Sequence, residues 1–236
     1  MFSKQEILEA LNDIAETALK QNKTVEIGIY GGSAIVLSWE FRKSTRDVDV
    51  AIYNDADYLK DIARQIAQER NLPEDWLNDG VKGFLSNKEE RQLFLELPEN
   101  SETKGLRVFT PTPEYLLAMK CMAMRIGGLE NSSNISDIED IKNLIQITGL
   151  NTKDQIISLV EKFYPENLIQ PKVLYGIEEI VESLQKPTII ENKEIKPKPD
   201  FKLGVKTQTQ TPKPDAFAQD VQNRQNKQEI KRKFGR

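Results

Sequence analysis

Residues 30–53 read YGGSAIVLSWEFRKSTRDVDVAIY, and their pattern decides the fold. The preceding run, Thr24 to Tyr30, is short and β-branched and predicts a strand. Gly31-Gly32 breaks it, and Ser33 to Trp39 returns to a helical pattern. A polar, basic connection, Arg42 to Arg46, leads to Asp47-Val48-Asp49, where Val48, Val50 and Ile52 alternate with Asp47, Asp49 and Ala51 as in a strand. The order is strand, glycine turn, helix, basic connection, strand.

Residues two apart in a strand face the same side, so Asp47 and Asp49 present two carboxylates together. Neighbouring carboxylates repel and raise one pKa unless a cation lies between them. A hard divalent cation such as Mg²⁺ resolves that repulsion, because it prefers oxygen ligands and keeps waters for exchange with phosphates. Gly31 and Gly32 allow a phosphate to approach the backbone, the following helix N-terminus points N–H groups at it, and Ser33 adds a hydroxyl. A phosphate cradle facing a metal site suits phosphoryl or nucleotidyl transfer. Either half alone is ordinary: a turn, or a solvated strand end. The order of the two carries the reading.

Outward from this stretch, Ser3 and Glu6 have capping-box spacing, and Phe2 and Ile7 are placed for a hydrophobic staple. Ile7, Leu8, Leu11, Ile14, Ala15, Ala18 and Leu19 then form one helical stripe. Ala56 to Arg70 predicts a second amphipathic helix. Pro73 to Gly83 predicts a loop containing Trp76, a packing anchor. Leu93–Leu97 and Leu106–Phe109 predict strands, and Pro113 suits the first position of a helix. Further helices are predicted at Asp137–Thr148, Lys153–Phe163 and Val173–Leu184, with Asn151 or Thr152 as a cap. From Lys186 apolar side chains are sparse and Pro187, Pro197, Pro199, Pro212 and Pro214 fall among polar residues, which predicts a flexible linker. Asp215 to Phe234 could form a short basic helix on contact with a partner.

Composition narrows the chemistry. The 236 residues include no His, which excludes a Ser-His-Asp triad, a His-bearing metalloprotease site and a His proton shuttle. The one Cys, Cys121, excludes an internal disulfide and a multi-Cys zinc site, and reads as a small core residue. No apolar run approaches the ~20 residues of a membrane helix. The charged start MFSKQEILEALND lacks the apolar stretch of a signal peptide, so a cytoplasmic protein with no membrane association is expected. Residues 186–236 hold 13 Lys and Arg against 6 Asp and Glu, so a basic tail follows an acidic body. That balance argues against nucleic-acid binding spread over the body.

Gly32-Ser33, thirteen intervening residues and Asp47-Val48-Asp49 resemble the hG[GS]…Dh[DE]h signature of the polymerase-beta-type nucleotidyltransferase superfamily. Residues 30–53 are similar in particular to bacterial proteins related to the AbiE-type abortive-infection toxins, in which a basic, Thr-containing lead-in precedes the DxD. Here it is Lys43-Ser44-Thr45-Arg46, with Lys43 where an Arg is expected. The segment Trp76-Leu77-Asn78-Asp79 looks like one of that group's, as do Pro113–Lys120 with Ala123 and Arg125, and Asp137-Ile138-Glu139-Asp140-Ile141. The resemblance covers about residues 5–185.

It implies an α+β fold, a small mixed sheet flanked by helices, followed by a helical domain and a disordered basic tail. The expected division is a core at 1–110, helices at 111–185 and the tail at 186–236. It implies Mg²⁺ held by Asp47 and Asp49. A nucleoside triphosphate would lie at Gly31, Gly32 and Ser33, with Arg46 and Lys120 as further nucleotide ligands, and Asp137 or Asp140 positioning helix or substrate. The superfamily commonly adds a third carboxylate on a later strand; Glu96 is the positional candidate and Asp79 the alternative. The acceptor hydroxyl would belong to RNA, tRNA included, or to protein, and the protein would be a toxin with an antitoxin partner. Two rivals keep the fold: a small-molecule nucleotidyltransferase, and a degenerate module that binds nucleotide or protein. Competing local readings stand beside these. Lys120 could snorkel beside the core stripe of Met119, Met122 and Met124, Asp137 and Asp140 could cap their helix, and Arg125 could be a helix C-terminal cation.

Overall fold

The computed structural model describes residues 1–39, 41–124 and 132–185. All lie within one compact unit, Met1–Thr188. Arg125, Gly127, Gly128 and the tail from Lys186 onward, including the stretch 215–234 that could form a basic helix, lie outside the described residues.

Strand β1 (Phe2–Ser3) leads into α1 (Lys4–Lys20), which opens on the expected capping box: Ser3 accepts from the Glu6 N–H, and Glu6 accepts from the Ser3 N–H at 2.8 Å. Then follow β2 (Val25–Ile29), α2 (Gly31–Ser38), β3 (Ser44–Thr45), β4 (Val48–Ile52) and α3 (Ala56–Arg70). The segment 73–83 is less irregular than its composition predicts. It contains a two-residue strand, β5 (Leu77–Asn78), and the 3₁₀ turn Gly80–Phe84 begins within it. Two residues carry no periodicity, so only pairing with β4 reveals that strand. Strands β6 (Arg91–Leu97) and β7 (Leu106–Pro111) precede α4 (Pro113–Met122), α5 (Ser132–Thr148), α6 (Lys153–Phe163) and α7 (Pro171–Gln185). Thr112 caps α4 with Pro113 at its first position, and Thr152 with Gln155 closes a second capping box on α6.

Five strands form a mixed sheet in the order β5-β4-β2-β7-β6. The β2/β4 and β6/β7 pairs are antiparallel; β2/β7 and β4/β5 are parallel. The small strands β1 and β3 pair separately, Phe2 opposite Thr45, which ties the chain start to the residues before Asp47. One sheet face carries Val25, Ile27, Ile29, Val48, Val50, Leu106 and Val108, buried in one core with Ile7, Leu11 and Ile14 of α1 and Leu59, Ile62 and Ile66 of α3. Trp76 is fully buried, near the Phe2 ring, and donates from Nε1 to the Ala63 carbonyl at 3.0 Å. It is the packing anchor expected. The helices α4 to α7 pack on one another, and α4 also packs on β7. The architecture is the α+β mixed sheet flanked by helices that the sequence implies. Among the described residues no helix is long and apolar enough to cross a membrane.

By alternation, the opposite sheet face carries Asp49 and Tyr30 side by side at the ends of β4 and β2, where the Tyr30 N–H donates to the Asp49 carbonyl at 2.9 Å. The site is built at that end.

Candidate active site

The turn from β2 into α2 places backbone against carboxylate. Gly31 has φ +59°, and a Cβ there would lie 2.6 Å from Asp49 Oδ2; a Cβ on Gly32 would lie 2.8 Å from the Arg42 guanidinium carbon and from Thr45 Oγ1. Only glycine lets both charged groups come this close. Tyr30, the residue before α2, supplies no side-chain cap, and the first intrahelical bond runs from the Ala34 N–H to the Tyr30 carbonyl at 3.2 Å. The N–H groups of Gly31, Gly32 and Ser33 therefore stand ahead of the helical ladder, at the positive end of the helix. The Ser33 hydroxyl does not join them. It is fully buried and donates to the Tyr30 carbonyl at 2.7 Å, so Ser33 can meet a phosphate through its backbone alone. A Gly31→Ala variant is expected to lose about 1–2 kcal/mol of stability from the left-handed backbone and to displace the Asp49 carboxylate; urea melts beside Mn²⁺ titration would separate the two effects.

Asp47 and Asp49 line one wall of a cleft of about 850 Å³ with Gly31, Gly32 and Gly80. Burial, then the neighbouring charge of Asp47, pushes the Asp49 carboxyl up to about 6; Lys120, a hydrogen bond with Asn78, and Arg42 pull the other way. Asn78 stands opposite Asp49 in the β4/β5 register. Its Nδ2 donates to Asp47 Oδ2 at 3.3 Å, and its Oδ1 accepts from the Gly80 N–H at 2.9 Å, which fixes the amide's orientation. In the sequence Asn78 belongs only to the resembling segment Trp76–Asp79, with no pattern marking a role. As an amide within a two-residue strand, it shows its place beside the carboxylates only through the β4/β5 register.

Across the cleft, Lys120 of α4 donates to Asp137 Oδ1 at 2.7 Å and Asp140 Oδ2 at 2.9 Å, and Arg42 donates to the same Asp140 oxygen at 2.5 Å. The Asp140 side chain is 4% exposed and that of Lys120 10%. Neither carboxylate caps its helix, because α5 begins at Ser132, five residues before Asp137. Their i, i+3 spacing instead puts both on the face that meets Lys120. Lys120 is held between two carboxylates rather than snorkelling. Lys43 and Arg46 also line the cleft, are exposed, and form no ion pair among the described residues.

The structure does not bring Glu96 to this site. Glu96 pairs with Arg107 at 2.9 Å, and Arg107 with Glu26 at 3.1 Å. Glu26 lies four residues back along β2 from Tyr30, the neighbour of Asp49, which places Glu96 about 13 Å away along the strand direction alone. Asp79 is also turned elsewhere: hydrogen bonds from Lys82 at 2.7 Å and Lys60 at 3.0 Å hold its carboxyl at about 2. Cys121 is buried in the core with its thiol pushed up to about 12, so it is no nucleophile near neutral pH.

Among the described residues no three His, Cys, Asp or Glu side chains converge as a metal-ligand cluster. Asp47 and Asp49 offer carboxylate oxygens to the cleft, donors that would suit a hard cation retaining several waters, whereas the Asn78 oxygen is committed to the Gly80 N–H.

No curated protein matches the chain. An antigenic nucleotidyltransferase-like protein from Paracoccidioides brasiliensis, known by crystal structure, is similar at 15% identity over 75% of this chain and 94% of that one, with a TM-score of 0.41. A likeness that loose carries no weight for the site. The family model of nucleotidyltransferases of unknown function (DUF6036) matches residues 5–167, which span both walls of the cleft, from Gly31 and Asp47 to Asp140. The chain belongs to that nucleotidyltransferase family.

Proposed function

We propose that this protein transfers a nucleotidyl group from a nucleoside triphosphate to a hydroxyl acceptor at the cleft between Asp47/Asp49 and α5. The observation that carries this reading is the Asp47–Asp49 pair set against the uncapped start of α2, with Gly31 leaving no space between them. The N–H groups of Gly31, Gly32 and Ser33 receive the triphosphate, and the exposed Lys43 and Arg46 flank it. Asp47 and Asp49 hold Mg²⁺, which supplies neutralisation of the charge that develops on phosphate and acceptor oxygens. The acceptor oxygen attacks the α-phosphorus as the bond to the β-phosphate oxygen breaks and pyrophosphate leaves. Asn78 keeps Asp47 turned inward. Lys120, being doubly paired, acts first by holding Asp137 and Asp140 at the cleft wall; direct contact with phosphate would require it to release Asp137.

The similarity of residues 30–53 to AbiE-type proteins supports the finer reading: a bacterial toxin, an antitoxin partner, and RNA or protein as acceptor. A second reading, a module that binds nucleotide without turning it over, is favoured by one observation. A neutral amide, Asn78, faces the carboxylate pair, and Glu96 and Asp79 are both engaged elsewhere.

Incubation with Mg²⁺ and each α-labelled NTP, with bacterial RNA and lysate as acceptors, decides between them. Transfer by the protein and none by Asp47→Ala/Asp49→Ala is expected; nucleotide binding without transfer would favour the module. The metal assignment has its own pH signature. Cation binding needs an ionised Asp49, whose carboxyl sits near 6 without metal. Mn²⁺ affinity should therefore rise about tenfold from pH 5 to pH 7 and then level off. A flat profile by titration calorimetry would remove Asp49 from the ligand set.

A further inference from the structure

The cleft holds one aromatic ring with no structural employment. Phe84 ends the 3₁₀ turn that starts at Gly80, where a Cβ would lie 3.8 Å from Asp49 Oδ1. Four residues of 3₁₀ rise set the Phe84 backbone about 8 Å from that of Gly80, a separation of the order of a ribose and a phosphate. Its backbone is anchored, because its carbonyl accepts from the buried Tyr164's hydroxyl at 2.6 Å. The residue is 41% exposed, lines the cleft and has no ring partner among the described residues. The other aromatic on the cleft wall, Phe41, is already stacked on Trp39, centroids 6.3 Å apart and planes 21° apart. Val81, Leu116 and Met119 add apolar lining, against carboxylates and cations elsewhere in the same cleft.

A single exposed Phe on an outer surface would need no explanation. This one has a fixed backbone and an exposed aromatic side chain lining the same cleft as the carboxylate pair. The ligand that matches both ends carries a polyanion and a flat aromatic group. We infer that Phe84 is the stacking platform for the nucleobase of the triphosphate whose phosphates lie at Gly31–Ser33, an inference that rests on the nucleotidyl-transfer reading and extends it. Stacking tolerates every base, since each has a π-face, so Phe84 supplies affinity without strong choice among the four nucleotides.

The test is calorimetric titration of the full chain with Mg²⁺-ATP, Mg²⁺-CTP and inorganic tripolyphosphate. Phe84→Ala should weaken ATP and CTP binding about tenfold, the usual range for loss of a stacking partner, and leave tripolyphosphate binding unchanged. Phe84→Trp should restore nucleotide binding and Phe84→Leu should not, because leucine keeps the apolar bulk and lacks the flat face. All three variants should melt close to the wild type, since the residue is exposed. Equal weakening of nucleotide and tripolyphosphate, or unaltered nucleotide binding in Phe84→Ala, overturns the platform and leaves nucleotidyl transfer standing. A wild type that binds neither nucleotide nor tripolyphosphate overturns both.

Discussion

Asp49→Asn is expected to abolish nucleotidyl transfer by at least a hundredfold and, at the same time, to raise the melting temperature of the metal-free protein. The two effects have one origin. Asp49 is held partly buried beside Asp47, against Gly31, and its carboxyl is pushed up to about 6 by burial first and by the Asp47 charge second. In the unfolded chain the same carboxyl titrates near its ordinary 3.8. The folded protein thus binds this proton more tightly than the unfolded chain does. Ionising Asp49 costs stability above about pH 6, and that cost disappears as the pH falls through 6 toward 4. An amide removes the charge and keeps the shape. Its gain over wild type should be full at pH 7.5 and gone by pH 4, read as the difference in melting temperature between the two proteins. Function runs the other way: loss of one preorganised charge at a reacting phosphate costs of the order of 10²–10³ in rate. Equal melting temperatures at pH 7.5 would show that the repulsion is relieved in some other way. Retained transfer would show that Asp49 is not a metal ligand.

The same electrostatics recast the cations. Arg46 and Lys120 both look like phosphate ligands in the sequence, but the structure separates them. Arg46 lines the cleft with no ion pair among the described residues, while Lys120 is shared between Asp137 and Asp140. A phosphate can engage Arg46 at once, but must draw Lys120 from carboxylates it already neutralises. Lys43, near Arg46, also forms no ion pair among the described residues, and a point charge there can serve where a guanidinium fork is expected.

What the sequence made legible is what local patterning controls. The Gly31-Gly32 turn and the alternation at Asp47–Ile52 announced themselves because glycine freedom and strand period are local properties, and α3 and α6 begin and end where their stripes do. The start of α5 at Ser132 was hidden, because no apolar stripe marks residues 132–136. The third polar residue of the site was hidden for a different reason. Glu96 is a candidate by its place on a later strand, but position in sequence says nothing about level in the sheet. The β6/β7 register sets Glu96 beside Arg107, at the far end from Asp49, and the β4/β5 register sets Asn78 beside the pair instead. Asp140 was legible as a residue and not as a role: its i, i+3 spacing from Asp137 is equally that of a cap and that of a shared ion-pair face.

Asp140→Ala is expected to be the most destabilising single change in the cleft, by about 3–5 kcal/mol. Asp140 accepts from two cations on one oxygen, Arg42 at 2.5 Å and Lys120 at 2.9 Å, and its side chain is 4% exposed. Removing it leaves Lys120 and Arg42, themselves 10% and 19% exposed, with their charges in a poorly solvated wall. Lys120 keeps Asp137, but that carboxylate is 42% exposed and screened. Among the described residues Arg42 keeps only the Ser44 carbonyl, 3.1 Å from Nε. The loss would also untie α5 from the connection that carries Arg42, Thr45 and Asp47, because Asp140 is the one residue bonded to both Arg42 and Lys120 among the described residues. Asp140→Asn keeps one acceptor oxygen in place and should cost less than the alanine variant. The double variant Asp140→Ala/Lys120→Met should recover part of the loss, since it removes one stranded charge along with its partner. Urea denaturation of the four proteins gives the comparison directly. If Asp140→Ala melts with the wild type, water reaches both cations and the network is a surface ion pair. If the double variant is no more stable than Asp140→Ala, the stranded charge of Lys120 is not the source of the cost.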